Sequence, residues 1–349
     1  YLTLDVGNII LATGFDVLDA RRIAQYGYGH LANVFTSLEF ERLSNAAGPT
    51  NGRIVLRDGV TEPQTVAIIH CVGSRDRNYN NYCSAICCMQ SLKFAHVVKE
   101  RTGATVYNFY IDIRTTAKAY DEFYQRVLEE GTIFVRGRVA EVTDAARLPD
   151  EEGKLIIQVE DTLAGCQRRI PVDMVVLSVG LEPRHDAEEV ARLFGISCSA
   201  HGWIIEKHPK LDPVATMTEG VFVAGCAQGP KDIPSTVAQG AAAAARVLAH
   251  IQQREIALEP IRATVDEAKC SGCRICNNLC PFNAITFHED RMVTSINPAL
   301  CQGCGTCVAA CPAGAISGTV FSNEQILAQL DGLLMRNVNG TQLEEGVPV

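Results

Sequence analysis

Eight of the fifteen cysteines lie in two runs towards the carboxyl end of the chain. The runs are CSGCRICNNLCP from Cys270 and CQGCGTCVAACP from Cys301, and each has the form Cys-x2-Cys-x2-Cys-x3-Cys-Pro. Thiolates are soft anionic ligands that suit iron, and three closely spaced cysteines can hold one face of a [4Fe–4S] cluster while a distant one completes it. Zinc ribbons lack this doubled run, and a long chain is a poor candidate for a disulfide knot. The runs therefore predict two [4Fe–4S] clusters.

The same spacing predicts a crossed ligand arrangement. In two-cluster ferredoxins, the fourth cysteine of each run binds the cluster of the other run. We therefore expect one cluster to be held by Cys270, Cys273, Cys276 and Cys311, and the other by Cys301, Cys304, Cys307 and Cys280. Glycines between the ligands, at 272, 303 and 305, let backbone N–H groups approach the sulfurs. The pattern recurs at the sequence separation between Cys270 and Cys301, which we name the repeat offset.

Composition narrows the class of protein. A length of 349 residues allows two or three domains, and a formal net charge of -9 argues against nucleic acid as a partner. Because eight cysteines are already assigned to metal, the cysteine content fits a reducing cytoplasm better than a secreted scaffold. No apolar run reaches the roughly 18 residues of a membrane span, so we predict a cytoplasmic protein.

Two other stretches combine a buried strand with a glycine turn. Residues 5–14, DVGNIILATG, run from a strand into a turn of small residues, and residues 219–249 run from a strand through Gly225 into an Ala-rich helix near Pro234. The helix start is predicted to offer free N–H groups and a positive dipole end, which suit a flavin or a pyrophosphate. Taken alone, a strand followed by glycine is common in α/β proteins.

These motifs resemble a known family. The ATG and GVFVAG pair is similar to flavoproteins of the thioredoxin reductase type, in which the late strand usually ends Gly-Asp, whereas Cys226 stands here. The strings VAGCAQGPKDIP, CVGSRD and YCSAICC resemble the flavin and iron–sulfur A subunit of heterodisulfide reductase and its bacterial homologues, such as those in class II benzoyl-CoA reductase complexes. The resemblance runs from about residue 5 to about residue 333. The family's GxGxxG unit, which grips the FAD pyrophosphate, would lie upstream, so we expect either a truncated chain or a site completed by a neighbouring subunit.

The resemblance implies an FAD site. Lys231 could stabilise a reduced, anionic flavin, although it could instead form a solvated loop pair with Asp232. Cys226 is a second reactive candidate, but it lacks the partner at Cys-x2-Cys spacing that a disulfide reductase site needs. The residues expected to contact FAD are Ala12, Thr13, Gly14, Phe15, Gly225, Cys226, Lys231, Asp232, Ile233, Thr236 and Val237.

A second dinucleotide fold is predicted over residues 61–112, with strands at 65–70 and 105–110 and a helix at about 82–101. Its first loop lacks the GxGxxG fingerprint of a nicotinamide site and carries four cysteines instead, Cys71, Cys83, Cys87 and Cys88. Positions 83 and 87 would share one helix face. We infer a third [4Fe–4S] cluster in the nucleotide site, so NAD(P)H would not reduce this chain directly. Alternatively, these cysteines are small apolar residues on a helix.

The predicted fold is an α/β, thioredoxin-reductase-like flavoprotein with two dinucleotide-binding domains, followed by an α+β two-cluster ferredoxin domain. The predicted boundaries are 1–60 for part of the FAD domain, 61–172 for the inserted second dinucleotide domain, 173–258 for the return to the FAD domain, 259–318 for the ferredoxin domain, and 319–349 for a helix and tail.

The resemblance implies an oxidoreductase subunit that passes electrons between FAD, the clusters and either ferredoxin or partner subunits. In the family the flavin splits electron pairs between two acceptors, and substrate chemistry takes place on other iron–sulfur or flavin subunits of a large complex. Two alternatives remain open: a flavin-free iron–sulfur wiring subunit, and an enzyme like NAD(P)H-ferredoxin reductase.

Overall fold

The computed structural model describes residues 3–253, 261–298 and 300–338, except for the side chains of residues 335–338. The predicted linker at 254–260 and the predicted tail beyond residue 338 lie outside these residues. The strands are β1 (Ile9–Leu11), β2 (Phe15–Val17), β3 (Val34–Thr36), β4 (Thr65–Val72), β5 (Thr105–Tyr110), β6 (Ile133–Arg136), β7 (Val139–Thr143), β8 (Leu155–Asp161), β9 (Cys166–Val172), β10 (Met174–Val179), β11 (Leu181–Pro183), β12 (Val221–Val223), β13 (Ala263–Val265), β14 (Ile285–His288), β15 (Val293–Ile296) and β16 (Ile316–Gly318). The helices are α1 (Ser37–Ser44), α2 (Cys87–Thr102), α3 (Tyr120–Glu129), α4 (Ala187–Phe194), α5 (Ile233–Gln253), α6 (Ile275–Leu279), α7 (Thr306–Ala310) and α8 (Asn323–Val338).

The chain divides into two compact units. The central-sheet unit contains residues 13–185 and 225–237, and the second unit contains residues 1–12, 186–224 and 238–349. Within the described ranges, no helix is long and apolar enough to cross a membrane.

A parallel five-stranded sheet forms the core of the central-sheet unit. Its strand order is β3-β10-β4-β5-β6, and every neighbouring pair is parallel. Side chains of β4 alternate between two apolar cores: Val66 and Ile68 pack with residues of α1 and α2, whereas Ala67 and Ile69 pack with residues of β7, β8 and β9. Because both faces are covered, β4 is apolar at nearly every position, as buried parallel strands are.

The strand at 174–179 corrects the predicted domain path. We expected residues from 173 onwards to return the chain to the flavin domain, but β10 pairs with β4 over Met174↔Val66 to Val179↔Val72. It also pairs with β3, which we had placed in the FAD-domain part. Hydrophobic runs on buried strands do not specify a partner strand, because every strand in such a sheet is apolar on both faces. The sheet therefore recruits strands from both sides of the predicted inserted domain.

The antiparallel sheet β7-β8-β9 belongs to the same unit. The third strand, β9, was not predicted, because its sequence CQRRIPV contains two arginines and a proline. Arg169 on this strand donates two hydrogen bonds of 2.9 Å to the buried carboxylate of Glu151. This interaction is the largest cause lowering the pKa of Glu151, to about 2.

The second unit contains the short parallel pair β1 and β12. Ile9 pairs with Val221 and Leu11 with Val223, and the N–H of Ala224 donates to the carbonyl of Leu11 at 2.9 Å. This pairing confirms the predicted strands of the early and late glycine motifs. Because the strands are parallel, the residues after them leave from the same edge.

The carboxyl-terminal part of this unit contains two copies of the same local structure. Strand β13 pairs with β16, β14 pairs with β15, and a five-residue helix contains the third cysteine of each run. Helices α6 and α7 begin at Ile275 and Thr306, which are separated by the repeat offset of the cysteine runs. The N–H of Asp266 donates to Ala315, and the N–H of Asn297, one repeat offset later, donates to Ala284. The sequence repeat is therefore also a structural repeat.

Helix α1 begins with a capping box, and this generates the first prediction. The Thr36 hydroxyl accepts from the N–H of Glu39 at 3.3 Å, and the Glu39 carboxylate accepts from the N–H of Thr36 at 2.9 Å. Thr36→Ala removes the hydroxyl, so we expect the free energy of unfolding to fall by about 1 kcal/mol in urea titrations followed by circular dichroism. Thr36→Ser keeps the hydroxyl and should stay close to the unchanged protein; equal losses in both variants would contradict the capping role.

Candidate metal centres and flavin site

The eight cysteines of the two runs differ in exposure in a repeated way. Cys276 and Cys307 are buried, Cys273 and Cys304 are exposed, and the remaining four are half-buried. Backbone N–H groups donate to three of the sulfurs: Ala263 to Cys301 at 3.3 Å, Ala284 to Cys280 at 3.4 Å, and Ala315 to Cys311 at 3.3 Å. Such N–H···S bonds tune cluster potentials. The donors to Cys280 and Cys311 are again separated by the repeat offset.

One cavity has four cysteines of the two runs in its lining. Its lining includes the thiols of Cys280, Cys301, Cys304 and Cys307, which are the four ligands predicted for one cluster. Burial, as the largest cause, and the neighbouring thiols of Cys301, Cys304 and Cys280 together raise the pKa of Cys307 to about 11. The fourth cysteine of the first run thus lies beside the first three of the second run. This donor set fits a [4Fe–4S] cluster.

Two glycines allow the ligand loops to pass close to the backbone. A Cβ atom on Gly303 would lie 2.5 Å from the carbonyl oxygen of Ile261, and one on Gly272 would lie 2.5 Å from that of Met292. Both glycines adopt positive φ, 63° and 68°. The two close approaches are separated by the repeat offset, so glycine is required at both positions for the same steric reason.

The four cysteines of the predicted third site lie at one edge of the parallel sheet. Cys71 is near the carboxyl end of β4, and Cys87 and Cys88 are the first residues of α2. In such sheets, ligands bind outside the carboxyl ends of the strands where the strand order reverses, and β4 lies between β10 and β5 at this point. Cys71 has a positive φ of 57°, a strained conformation of the kind that clusters at functional sites.

The predicted helix start at residue 82 is wrong. Helix α2 begins at Cys87, so Cys83 precedes the helix and does not share a helix face with Cys87. Ala85 has a positive φ of 58°, which a right-handed helix cannot include. Ser84 is fully buried, where its hydroxyl accepts from the N–H of Leu181 and lies 2.7 Å from the hydroxyl of Ser74. These contacts hold the segment as a loop.

The loop nevertheless brings the four thiols together. Burial, as the largest cause, and the nearby thiols of Cys88 and Cys83 together raise the pKa of Cys71 to about 11. The pKa of Cys87 is likewise raised, first by burial and then by Cys71, Cys88 and Cys83. Thiolates are the metal-binding form, so a positively charged iron cluster would stabilise the charges that burial disfavours. The donor set therefore fits a cluster.

Within the ranges that the structure describes, no three Cys, His, Asp or Glu side chains converge on a position for a single metal ion. In a [4Fe–4S] cluster each thiolate binds a different iron, so its sulfurs surround the cluster instead of meeting at one point. A backbone N–H group of Ala85 donates to the Cys83 sulfur at 3.3 Å, and the Cys88 thiol donates to the carbonyl of Asp112 at 3.7 Å. Neither Ala85 nor Asp112 was predicted, because backbone groups leave no signal in residue type.

The predicted flavin contacts follow β1 and β12. Gly14 and Gly225 have positive φ values of 82° and 70°, and a Cβ on Gly14 would meet nothing within 4 Å, which leaves open space beside the turn. Ala12 and Phe15 are exposed, and Ile233 and Val237 are the most exposed apolar side chains near the start of α5, at 80% and 65%. Open turns and uncovered apolar side chains are compatible with a flavin ring, and these contacts remain predictions.

Two details of the flavin loop differ from expectation. The ammonium of Lys231 donates to the carbonyls of Gly225 and Gly229 at 3.1 Å and to the side chain of Gln228 at 3.2 Å. It therefore holds its own loop together. The first N–H groups of α5 are not free as predicted, because Asp232 accepts from Ser235 through its carboxylate and from Thr236 through its carbonyl. The sequence analysis treated Asp232 only as a possible flavin contact or a partner of Lys231, and did not predict it as a cap.

Tyr120 is a further residue that the sequence analysis missed. Its hydroxyl donates to the carboxylate of Asp232 at 3.0 Å and thereby ties the first residue of α3 to the flavin loop. Hydrogen bonds from Ser235 and Tyr120 contribute to a lowered pKa of Asp232, with that from Ser235 the largest cause. Because Tyr120 and Asp232 are far apart in the sequence, no local pattern could have indicated the contact.

Known proteins share much of this chain's sequence. Residues 269–315 match the family model of the 4Fe-4S dicluster domain. The A subunit of "H(2):CoB-CoM heterodisulfide,ferredoxin reductase" of Methanothermobacter thermautotrophicus is 46% identical over 336 residues, which are 95% of this chain and 50% of that protein. The iron-sulfur A subunit of "CoB--CoM heterodisulfide reductase" of Methanocaldococcus jannaschii is 47% identical over 339 residues, 95% of this chain and 51% of that protein.

The chain is homologous to the A subunit of heterodisulfide reductase. The family predicted from the motifs is thereby confirmed, and the relatives' names describe subunits of oxidoreductases. A protein of Archaeoglobus profundus, named as similar to this A subunit, is 41% identical over 360 residues, covering 97% of this chain and 50% of that protein. The chain spans about half the length of the A-subunit relatives that it matches.

Among solved structures, thioredoxin reductase of T. acidophilum is a neighbour of this A-subunit homologue, with 16% identity and a TM-score of 0.44 over 70% of this chain and 66% of that chain. The α/β class is given by the parallel sheet, and the carboxyl-terminal 4Fe-4S dicluster domain by the family match. Both predictions are therefore confirmed.

The paired glycines of this A-subunit homologue yield a prediction. Gly303→Ala places a Cβ 2.5 Å from the backbone of Ile261, so the ligand loop must shift, and we expect a loss of about four of the eight irons of the dicluster domain. Gly305→Ala is the matched control, because Gly305 has a similar φ of 76° but a Cβ there would meet nothing within 4 Å. Iron analysis after anaerobic purification gives the result, and equal iron in the two variants would show that the steric argument is wrong.

Proposed function

We propose that this chain is the FAD- and iron–sulfur-containing electron-transfer part of a complex related to heterodisulfide reductase. One observation carries the proposal: four thiols gather at the carboxyl edge of a parallel sheet, where a nucleotide would otherwise bind. A dicluster domain lies in the same chain. A sheet edge with metal ligands in place of a phosphate-binding glycine loop is suited to electron exchange and not to hydride transfer from a nicotinamide.

Burial alone does not account for the four cysteines of the proposed third site. Cys71, Cys87 and Cys88 are between 3% and 7% exposed, and Cys83 is half-buried in the loop. Buried cysteines can be simple apolar residues, but this does not explain the strained φ of Cys71 or the N–H group of Ala85 directed at Cys83. We assign these four residues as the ligands of a third [4Fe–4S] cluster.

The flavin assignment concerns the loop after β12. A bound flavin exchanges two electrons and can pass them on singly, whereas each cluster exchanges one. Lys231, Asp232 and Tyr120 hold the loop in one conformation through the contacts described above. We propose that these residues shape the site and that Gly14 and Gly225 allow the ring to approach the backbone. Lys231 remains the candidate for stabilising negative charge on the flavin, acting from a position fixed by three acceptors.

The partners are proposed from the relatives. Their names describe subunits of larger assemblies, and one name includes ferredoxin. We propose that this chain works with other iron–sulfur or flavin subunits, that ferredoxin is one electron partner, and that the flavin divides electron pairs between two acceptors. Because Cys226 has no partner at Cys-x2-Cys spacing, we propose that the chemistry on a disulfide or another substrate takes place on other subunits of the complex.

Two alternative functions make different demands on the chain. A flavin-free wiring subunit would contain the clusters alone and would need no ligand at the loop after β12. An enzyme like NAD(P)H-ferredoxin reductase would need a nicotinamide site in the parallel sheet, and the loop between β4 and α2 contains four cysteines instead of the glycine fingerprint. The loop therefore favours the iron–sulfur proposal over the nicotinamide alternative.

The third cluster is tested by iron content. Three clusters predict about twelve irons per chain in anaerobically purified protein, and a variant with Cys83→Ser and Cys87→Ser should contain about eight. Cys166→Ser is the control, because Cys166 is exposed on β9 and belongs to no predicted site. If unchanged protein and the double variant both contain about eight irons, these cysteines are structural and the third cluster is refuted.

The flavin and the electron donor are tested together on the native complex. We expect one FAD per chain and no oxidation of NADPH by the purified chain, because its parallel sheet lacks a nicotinamide loop. Absence of flavin from the intact complex would favour the wiring subunit. Direct NADPH oxidation that survives in the Cys83→Ser, Cys87→Ser variant would favour the reductase alternative.

A further inference from the structure

A cleft in the central-sheet unit opens beside the third cysteine site. Its volume is about 360 Å³, and it is lined by Arg75, Asp76, Arg77, Asn81, Cys83 and Arg114. Cys83 is the least buried of the four thiols of this site. A cluster held there would therefore be closest to solvent at a cleft that contains three arginines.

A second cleft of the same unit shares Arg75 with the first. Its volume is about 530 Å³, and Arg136 and Arg138 line it together with Ile111, Gly137 and Thr162. The two clefts are therefore neighbours on either side of Arg75, and we name the five arginines that line them, Arg75, Arg77, Arg114, Arg136 and Arg138, the arginine surface. All except Arg75 are exposed.

Only part of this positive charge is neutralised. Arg75 pairs with Asp112 at 2.7 Å, and Arg138 pairs with Asp76 at 2.8 Å. Within the described part of the chain, Arg77, Arg114 and Arg136 pair with no carboxylate, and the Nε of Arg136 donates to the carbonyl of Ile111 at 3.4 Å. Five arginines and two aspartates leave a local charge of +3, on a chain whose formal net charge is -9.

The positive charge also lies beside one of the thiols. Arg75, Arg77 and Arg114 line the same cleft as Cys83, so these arginines surround the most exposed sulfur of the site. Arginine is always charged and weakly hydrated, and its planar fork matches a carboxylate, so an arginine-rich rim selects a carboxylate-rich face.

We propose that the arginine surface docks a protein domain that presents a carboxylate-rich face and contains its own one-electron centre. The inference rests on the proposed third cluster. One electron passes between the partner's centre and the cluster held by Cys71, Cys83, Cys87 and Cys88, so that one centre is oxidised as the other is reduced and no further reactant is needed. Charge complementarity brings the partner to the cleft where Cys83 makes the cluster most accessible.

The test measures binding and needs no turnover. The full chain, purified anaerobically, is titrated with a small acidic ferredoxin as the probe, and the Kd is measured from low salt to about 200 mM, where screening acts within about 8 Å. Arg77→Glu and Arg114→Glu are compared with Arg126→Glu, an exposed arginine on α3 that lines neither cleft. Each variant changes the formal net charge from -9 to -11, so net charge is matched.

We expect Arg77→Glu and Arg114→Glu each to weaken binding by about fivefold to tenfold at low salt, and Arg126→Glu by less than about twofold. The differences should shrink as salt is added. Equal effects of all three variants, or a Kd that does not change with salt, would overturn the docking surface. A third outcome would also overturn it. If the chain binds pyrophosphate, and if Arg77→Glu and Arg114→Glu abolish that binding while the Kd for ferredoxin stays unchanged, the clefts belong to a phosphorylated small molecule.

The failure of this inference can be told apart from failure of the third cluster. If iron stays near eight per chain while the arginine variants still weaken binding, the docking surface stands and the third cluster is wrong. If iron is near twelve and the arginine variants bind normally, the cluster stands and the docking surface is wrong.

Discussion

Thiol sulfurs from distant parts of the chain must meet inside the protein, and the structure is arranged around that requirement. A lone buried thiolate is costly, because removal from water disfavours its charge, so it is stable only beside a positive partner. At both kinds of site, burial raises the pKa of the central cysteines and neighbouring thiols raise it further. The backbone around each site supplies N–H groups directed at sulfur, at Cys83, Cys280, Cys301 and Cys311.

The dicluster domain meets the requirement by duplication. One ligand loop, one five-residue helix and one close glycine approach are each used twice, separated by the repeat offset. The offset places the fourth cysteine of the first run among the first three of the second, as the cavity lined by Cys280, Cys301, Cys304 and Cys307 shows. In the predicted crossed arrangement neither run has a full ligand set by itself, so each cluster would join the two halves.

The parallel sheet meets the same requirement by another route. A dinucleotide fold already presents a crevice at the carboxyl ends of its strands, with a helix that begins beside it. In this chain Cys71 lies near the end of the central strand and Cys87 and Cys88 begin the helix, so three cysteines of the proposed third site occupy positions that a nucleotide site would use. Cys83 comes from a loop fastened by the buried hydroxyls of Ser74 and Ser84, and that loop opens to the arginine surface.

The sequence by itself determined the chemistry of the metal sites and most of the elements. Ligand spacing is a local property, so the paired cysteine runs, the four-cysteine loop and the strands at Thr65–Val72 and Thr105–Tyr110 could all be predicted. Only the tertiary structure decided that β10 joins the central sheet, that Cys83 lies before the helix, and that Lys231 is held by its own loop. Strand partners, a buried Ser84 and the Tyr120–Asp232 contact depend on packing between residues far apart in the chain, which no local pattern records.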